Sequence, residues 1–292
     1  DQKKVGIIQL VEHPSLDAAN KGFVDALAAK GYKDGQNIKL DQQNAQADQS
    51  NLNSIAQRFV SDKKDLVLAI ATPAAQTMAN ASHDMPILGT AITDYVTAKL
   101  VQSNERPGSN VSGTSDMTPV EKEVDLIIAL VPNVKRIGAI YTSSEINSQL
   151  QVEKMKAYAA TKGITVVEAT VSNVNDIQQA AANLVNQDVQ AIYTPTDNIL
   201  ASAMANLAQI TDAAKIPVFA ADEGMTMTGG VATYSVLGYQ TGLMAAKVLA
   251  GEAKIADLAV ETQKEIKLTV NEERAKKLGI TIPEALRKDM KQ

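Results

Sequence analysis

Short apolar runs alternate along most of this chain with longer stretches whose apolar residues recur at helical spacing. Val5-Gly6-Ile7-Ile8-Gln9-Leu10 is such a run, rich in β-branched side chains, and reads as a strand buried on both faces. Residues 11–14 are then a loop. Ser15 is placed to cap a helix with Asp17 in its first turn. Leu16, Phe23 and Leu27 fall on one face of that helix, and Gly31 stops it. The alternation continues with a strand at 38–42, a helix at 52–60 and a strand at 66–70. Thr72 as cap and Pro73 at the first position open another helix, and a further strand begins at Pro86. Strands alternating with helices predict a parallel sheet covered on both faces.

Residues 104–113 break this rhythm. Arg106-Pro107-Gly108-Ser109-Asn110 is turn chemistry, and 111–116 reads as a crossing between two lobes. Thr118-Pro119-Val120-Glu121 is a capping box that starts an apolar helix through Leu130. A second series follows: strand 136–141, helix 147–161, strand 164–168, helix 174–186, strand 190–193, a helix from Pro195, and strand 217–220. Strand 231–236, helix 239–249 ended by Gly251, strand 266–270 and helix 272–278 ended by Gly279 complete the pattern. Each series runs helix, Lys-Gly, strand, polar loop, helix, strand, Thr-Pro. Duplication and the common grammar of Rossmann-like halves account for this equally well. The expected fold is α/β, with two Rossmann-like lobes, parallel sheets and a ligand cleft between them closing by a hinge. Residues 1–115 with about 238–262 make the N-terminal lobe. Residues 116–237 with part of 263–292 make the C-terminal lobe.

Composition removes several function classes. The 292 residues suffice for two domains with a substantial core. Hydrophobic residues at 45% and charged residues at 21% exclude a disordered chain. No apolar run approaches the ~18 residues of a membrane span. A net charge of −5 argues against a nucleic-acid partner. The absence of cysteine excludes disulfides, thiolate metal sites and Cys nucleophiles. Two histidines far apart, His13 and His83, cannot build a His-rich metal site, so neither a metal nor a cofactor is expected. His13 reads as an exposed loop residue. With no tryptophan, the chain is also poor in the aromatic plates of many sugar sites. Walker A, G-x-G-x-x-G, G-x-S-x-G and H-E-x-x-H motifs are missing. No signal peptide precedes the first strand, which suits a cytosolic protein or a trimmed exported one.

Open parallel sheets bind ligands beyond the carboxyl ends of their strands, which nominates the residues there. From the first lobe these are Glu12, Thr72, Pro73, Ala74, Asp94 and Tyr95. From the second they are Tyr141, Ser143, Ser144, Asn147, Ser148, Thr194, Thr196, Asp197 and Asp222. Several lie at helix starts, where free N–H groups and the dipole attract an anion. Hydroxyls and helix-start amides beside acids suit a zwitterion. Thr72, Ser144 and Ser148 would take its carboxylate, and Asp222 or Asp197 its ammonium. Tyr95, Tyr141 and Pro73 would flank its side chain. Ordinary N-capping explains any one of these residues, but not their recurrence at strand ends in both lobes.

Four stretches resemble one known family. They are Leu66-Val67-Leu68-Ala69-Ile70-Ala71-Thr72-Pro73-Ala74-Ala75; Asp94 with Lys99-Leu100-Val101 and Arg106-Pro107-Gly108-Ser109-Asn110-Val111-Ser112-Gly113; Pro132-Asn133-Val134-Lys135-Arg136-Ile137-Gly138 with Tyr141, Ser144, Glu145, Asn147 and Ser148; and the tail 275–286 with Leu278-Gly279-Ile280-Thr281-Ile282-Pro283. Together they are similar to ABC-transporter substrate-binding proteins of the tryptophan/aromatic amino acid type. The sequence departs from that pattern at Tyr95, where the family has proline, and at Ser109, where it has glycine. The resemblance implies the type I periplasmic-binding-protein fold and a monomer that delivers ligand to an ABC permease. It also implies an extracytoplasmic location, in a periplasm or on a lipid anchor outside this chain. The implied ligand is an aromatic amino acid, tryptophan first and phenylalanine next.

Other readings remain. Another small polar solute suits the same sites. An enzyme on this scaffold needs a nucleophile or a paired acid and base, and Asp222-Glu223 alone does not make one. A transcription-regulator effector domain would need a DNA-binding module ahead of the first strand.

Overall fold

The computed structural model describes residues 2–117, 120–236, 240–262 and 266–290. The chain divides into two compact units. The first is Asp1–Met117 with Gly238–Lys264, and the second is Thr118–Leu237 with Glu265–Gln292.

The first unit opens with β1 (Lys3–Gln9), α1 (Pro14–Ala29), β2 (Ile38–Asn44), α2 (Gln49–Ser61), β3 (Leu66–Ile70), α3 (Thr72–Ala81), β4 (Ile87–Ile92) and β5 (Val111–Ser115). Its sheet has the order β11-β5-β4-β3-β1-β2, all parallel. The chain returns to this unit for α10 (Gln240–Leu249) and β11 (Glu261–Thr262). β1 and β3 are buried from Val5 to Gln9 and throughout, as their unbroken apolar runs require. Phe23, Leu27, Leu52, Phe59 and Met78 cover the sheet from the helices.

The second unit holds α4 (Val120–Leu130), β6 (Arg136–Thr142), α5 (Ile146–Thr161), β7 (Thr165–Val171), α6 (Ile177–Val185), β8 (Ala191–Thr194), α7 (Asn198–Ser202), α8 (Met204–Ala213), β9 (Val218–Ala220), α9 (Glu223–Thr228) and β10 (Ala232–Val236). β12 (Ile266–Val270), α11 (Glu272–Lys277) and α12 (Glu284–Arg287) follow after the excursion. The sheet order is β12-β10-β9-β8-β6-β7, with β12 antiparallel to β10. On β6, Ile137, Ala139 and Tyr141 join one apolar cluster while Ile140 joins the other. That is the two-residue alternation of a strand covered on both faces.

The strand order is the same in the two units, position for position, apart from the direction of the last strand. In each, the order reverses beside the first strand of the unit, between β1 and β3 and between β6 and β8. Loops at the carboxyl ends of those strands are where such sheets bind ligands.

Three sequence expectations change. Residues 111–115 are not a crossing but β5, a fully buried strand of the first sheet. His13, not Ser15, caps α1, and it is buried. Pro195 opens no helix; the chain stays irregular until Asp197 caps α7. The capping box at 118–121 rests on Thr118 and Pro119, which lie outside the described residues, as does Tyr239.

Candidate ligand-binding strand ends

In the first unit, the turn from β3 into α3 is unusual. Ala71 is the residue before the helix, with φ 88° and ψ 154°. That conformation is almost confined to glycine. It is held by a hydrogen bond from the Ala71 amide to the Thr90 carbonyl, 3.0 Å. Thr72 is therefore the first helical residue rather than the cap, and no side chain caps α3. Pro73 has no amide to offer. The amides of Thr72 and Ala74 lie in the first turn, where no carbonyl of the helix can receive them. The Thr72 hydroxyl, nearly buried, makes no hydrogen bond among the described residues. This is an uncapped helix start with an idle hydroxyl.

Its neighbours are built differently. Glu12 is exposed after β1. Asp94 accepts the Thr97 amide at 2.9 Å. Asp116, at the end of β5, accepts the Thr93 hydroxyl at 3.2 Å. Tyr95 does not flank a ligand. Its ring is fully buried, and its hydroxyl donates to the Thr114 carbonyl at 2.7 Å. Burial holds its phenol well above the ordinary value. The ring fits because Gly89 and Gly113, paired across β4 and β5, leave space for it; a Cβ on either would lie within 2.8 Å of the hydroxyl. Tyr95→Phe should cost about 1–2 kcal/mol, because it strands a buried carbonyl. Urea unfolding measures this, and an unchanged midpoint would refute it.

In the second unit the strand ends are tied into one knot. Asp197, 1% exposed, accepts four donors. Oδ2 takes the Thr142 amide at 2.6 Å and the Ser148 hydroxyl at 2.8 Å; Oδ1 takes the Thr142 hydroxyl at 2.7 Å and the Leu200 amide at 3.0 Å. A carboxylate has about four acceptor sites, so Asp197 is filled and is not the ammonium acceptor. Ser148 is likewise spent on Asp197 and on the Thr196 carbonyl at 2.9 Å, and does not serve a ligand carboxylate. Asn147 donates to the same Thr196 carbonyl, while the Thr196 amide donates to Gln151. Tyr141 has its hydroxyl engaged within its own unit. Its hydroxyl donates to Glu168 of β7 at 2.7 Å, and burial followed by that bond pushes its phenol up to about 12.

Like those of α6, α8 and α12, the start of α5 has no side-chain cap. Glu145 precedes it, but its carboxyl turns inward to Asn198. Ser144 is exposed and makes no hydrogen bond among the described residues, and Ser143 reaches back to the Val171 carbonyl at 3.4 Å. Thr194 is buried with its hydroxyl unpartnered among the described residues. Asp222 caps α9 through the Met225 amide, 2.8 Å.

Sequence reasoning placed Asn198 within the candidate stretch 194–198 but missed Gln151 and Asp116. Gln151 had a signal: it stands three residues after Ser148 and four after Asn147, on one face of α5. Among the described residues, no group of His, Asp and Glu is arranged to hold a metal, and no helix is long and apolar enough to cross a membrane.

Comparison with known proteins agrees with this fold. Residues 4–292 match the family described as ABC transporter substrate binding protein. A tyrosine-binding protein from Clostridioides difficile (strain R20291) is 47% identical over 283 residues, covering 96% of this chain and 81% of that protein. Among solved structures, an ABC domain in complex with L-Trp from Streptococcus pneumonia is 42% identical. It covers 100% of this chain and 99% of its own, with a TM-score of 0.95. The ligand-free, open structure of a substrate-binding protein with adhesive properties from Clostridium difficile is 45% identical, covers 99% and 98%, and has a TM-score of 0.76. An ABC sugar transporter subunit from Rhodobacter sphaeroides, 13% identical over 92% of this chain and 98% of its own, shares the fold alone, with a TM-score of 0.66.

Proposed function

Because the chain belongs to the ABC transporter substrate-binding protein family, whose members bind a solute rather than transform it, we propose that its solute is an aromatic amino acid, tryptophan first. The observation that carries this is the uncapped start of α3 with the idle Thr72 hydroxyl, in a chain similar along its whole length to an L-Trp complex. Two amides and a hydroxyl on a helix dipole suit an α-carboxylate. In the second unit, Ser144 and the start of α5 are candidates of the same kind. For the ammonium the remaining candidate is Asp222, which also caps α9. The ligand would pass to an ABC permease, from a protein located outside the cytoplasm.

The chain's lack of tryptophan makes the test direct. Excited where indole absorbs and tyrosine does not, the protein alone is dark. Emission that stays with the protein after excess L-tryptophan is removed, and leaves with the small-molecule fraction on denaturation, supports the reading. Tyrosine, the ligand in the name of the Clostridioides relative, and phenylalanine are tested by calorimetry. Tyrosine binding without tryptophan binding would keep the class and change the ligand. Binding of none would overturn the reading. Thr72→Val should weaken the ligand that binds about tenfold or more, the worth of one hydrogen bond to a charged group, with little change in melting temperature.

A further inference from the structure

Charged side chains are sorted between the two ends of the strands. Among the described residues, no lysine or arginine occurs within six residues after the end of any of β1–β10. Acids do occur there. In the first unit Glu12 follows β1, Asp48 follows β2, Asp94 follows β4 and Asp116 follows β5. The lysines stand at the opposite end, with Lys30 and Lys33 ahead of β2 and Lys63 and Lys64 ahead of β3, mixed there with Asp34 and Asp62. The second unit brings one cation to its acidic end, because β12 runs antiparallel. That cation is Lys267, and it lies 3.5 Å from Glu223.

In the first unit no cation compensates these acids directly. Asp48 and Asp94 accept backbone amides at 2.8 and 2.9 Å, and neither they nor Glu12 forms an ion pair among the described residues. The uncapped start of α3 lies at this same end. It carries a second mark of a ligand, the Thr72 hydroxyl, which is 5% exposed and makes no hydrogen bond among the described residues. A carboxylate held there meets amides and a hydroxyl but no cationic side chain. The surrounding acids attract a solute that brings its own positive charge, and repel one whose only charge is negative.

We propose that these strand ends act as a charge filter, which requires a cationic nitrogen on the solute and tolerates loss of its carboxylate charge. This rests on the aromatic amino acid reading, and adds which of the two charged groups the site demands.

Calorimetry at pH 6 compares L-tryptophan with L-tryptophanamide, which keeps the ammonium, and with indole-3-propionate, which keeps the carboxylate. If tyrosine or phenylalanine is the ligand that binds, the matching amide and arylpropionate take their place. The amide should lose about tenfold in affinity, since its carbonyl oxygen still accepts the amides of Thr72 and Ala74 without a charge. The propionate should lose about a hundredfold or more. Propionate that binds as tightly as the amide would overturn the proposal and leave the aromatic reading in place.

A ligand-free measurement separates the two. The chain has no tryptophan, so Val96→Trp reports from the loop after β4 and Gln36→Trp from the turn ahead of β2, both at exposed positions. At matched low ionic strength, the ratio of caesium to iodide quenching should be about twofold or more higher in Val96→Trp than in Gln36→Trp. Acrylamide, which is neutral, corrects for exposure. Equal ratios would overturn the filter whatever solute binds. A higher ratio at 96 with no aromatic amino acid bound would overturn the aromatic reading and support the filter.

Discussion

Replacing Glu123 with glutamine should make the protein more stable than wild type above neutral pH, and almost equal to it near pH 4. Glu123 lies on α4, fully buried in the second unit. Its Oε1 accepts the Tyr234 amide at 2.8 Å and the Thr233 hydroxyl at 3.2 Å, while Oε2 has no partner among the described residues. Burial pushes the carboxyl up to about 8, against an ordinary value of 4.5. Between those values the folded protein keeps a proton that the unfolded chain has lost. Stability therefore falls as pH rises from 4.5 to about 8, and is level beyond it. At 1.36 kcal/mol per pH unit, the loss is about 5 kcal/mol. Glutamine keeps the acceptor and has no proton to lose. Thermal melting of both proteins from pH 4 to 9 reads the effect. Curves of the same slope would mean that Glu123 is ionised in the folded protein at an ordinary pH.

Gly113→Ala should cost about 4 kcal/mol or more and leave the first unit unfolded or insoluble. Gly113 has φ 149°, and a Cβ there would lie 2.2 Å from the Gly89 carbonyl oxygen and 2.4 Å from the Tyr95 hydroxyl. The first obstacle is the backbone of a central strand, which has no rotamer to change. The second is the phenol that anchors the loop after β4. Gly251→Ala is the control. It also has positive φ, 76°, but nothing lies within 4 Å of its Cβ, so it should cost only about 1 kcal/mol. Soluble Gly113→Ala protein melting within a few degrees of wild type would show that β4 and β5 can separate.

The ease of reading the fold varied with the kind of force that shapes each element. Residues 66–70 were legible to the residue because they form an unbroken apolar run, and 266–270 because apolar and polar residues alternate along it. β5 was not. Its Ser112, Gly113, Thr114 and Ser115 carry no apolar signature, and its burial follows from Tyr95 and from strands brought beside it by tertiary packing. The expected cap at Thr72 moved by one position for a similar reason. An alanine at positive φ leaves no trace in a sequence, since its conformation is imposed by the Thr90 carbonyl. Among the candidate site residues, the sequence showed which chemistry stands at strand ends. It did not show how much of that chemistry is already used. Asp197 looks like a free acid until Thr142 and Ser148, about fifty residues earlier, are seen to fill it. Nor did the sequence show that the Tyr141 hydroxyl is taken by Glu168.

The first unit is discontinuous in the chain, and this bears on how the protein is made. α10 packs so closely on α1 that a Cβ on Gly242 would lie 2.4 Å from the Cβ of Ala26, and β11 adds to the open edge of β5. A ribosome completes the second unit's strands through β10 before either segment exists. At ~5–20 residues per second, the first unit waits many seconds with the α1 surface around Phe23 and Ala26 uncovered. The part translated first is therefore the part finished late. A chaperone or export factor that meets this chain during synthesis should find its binding surface on α1.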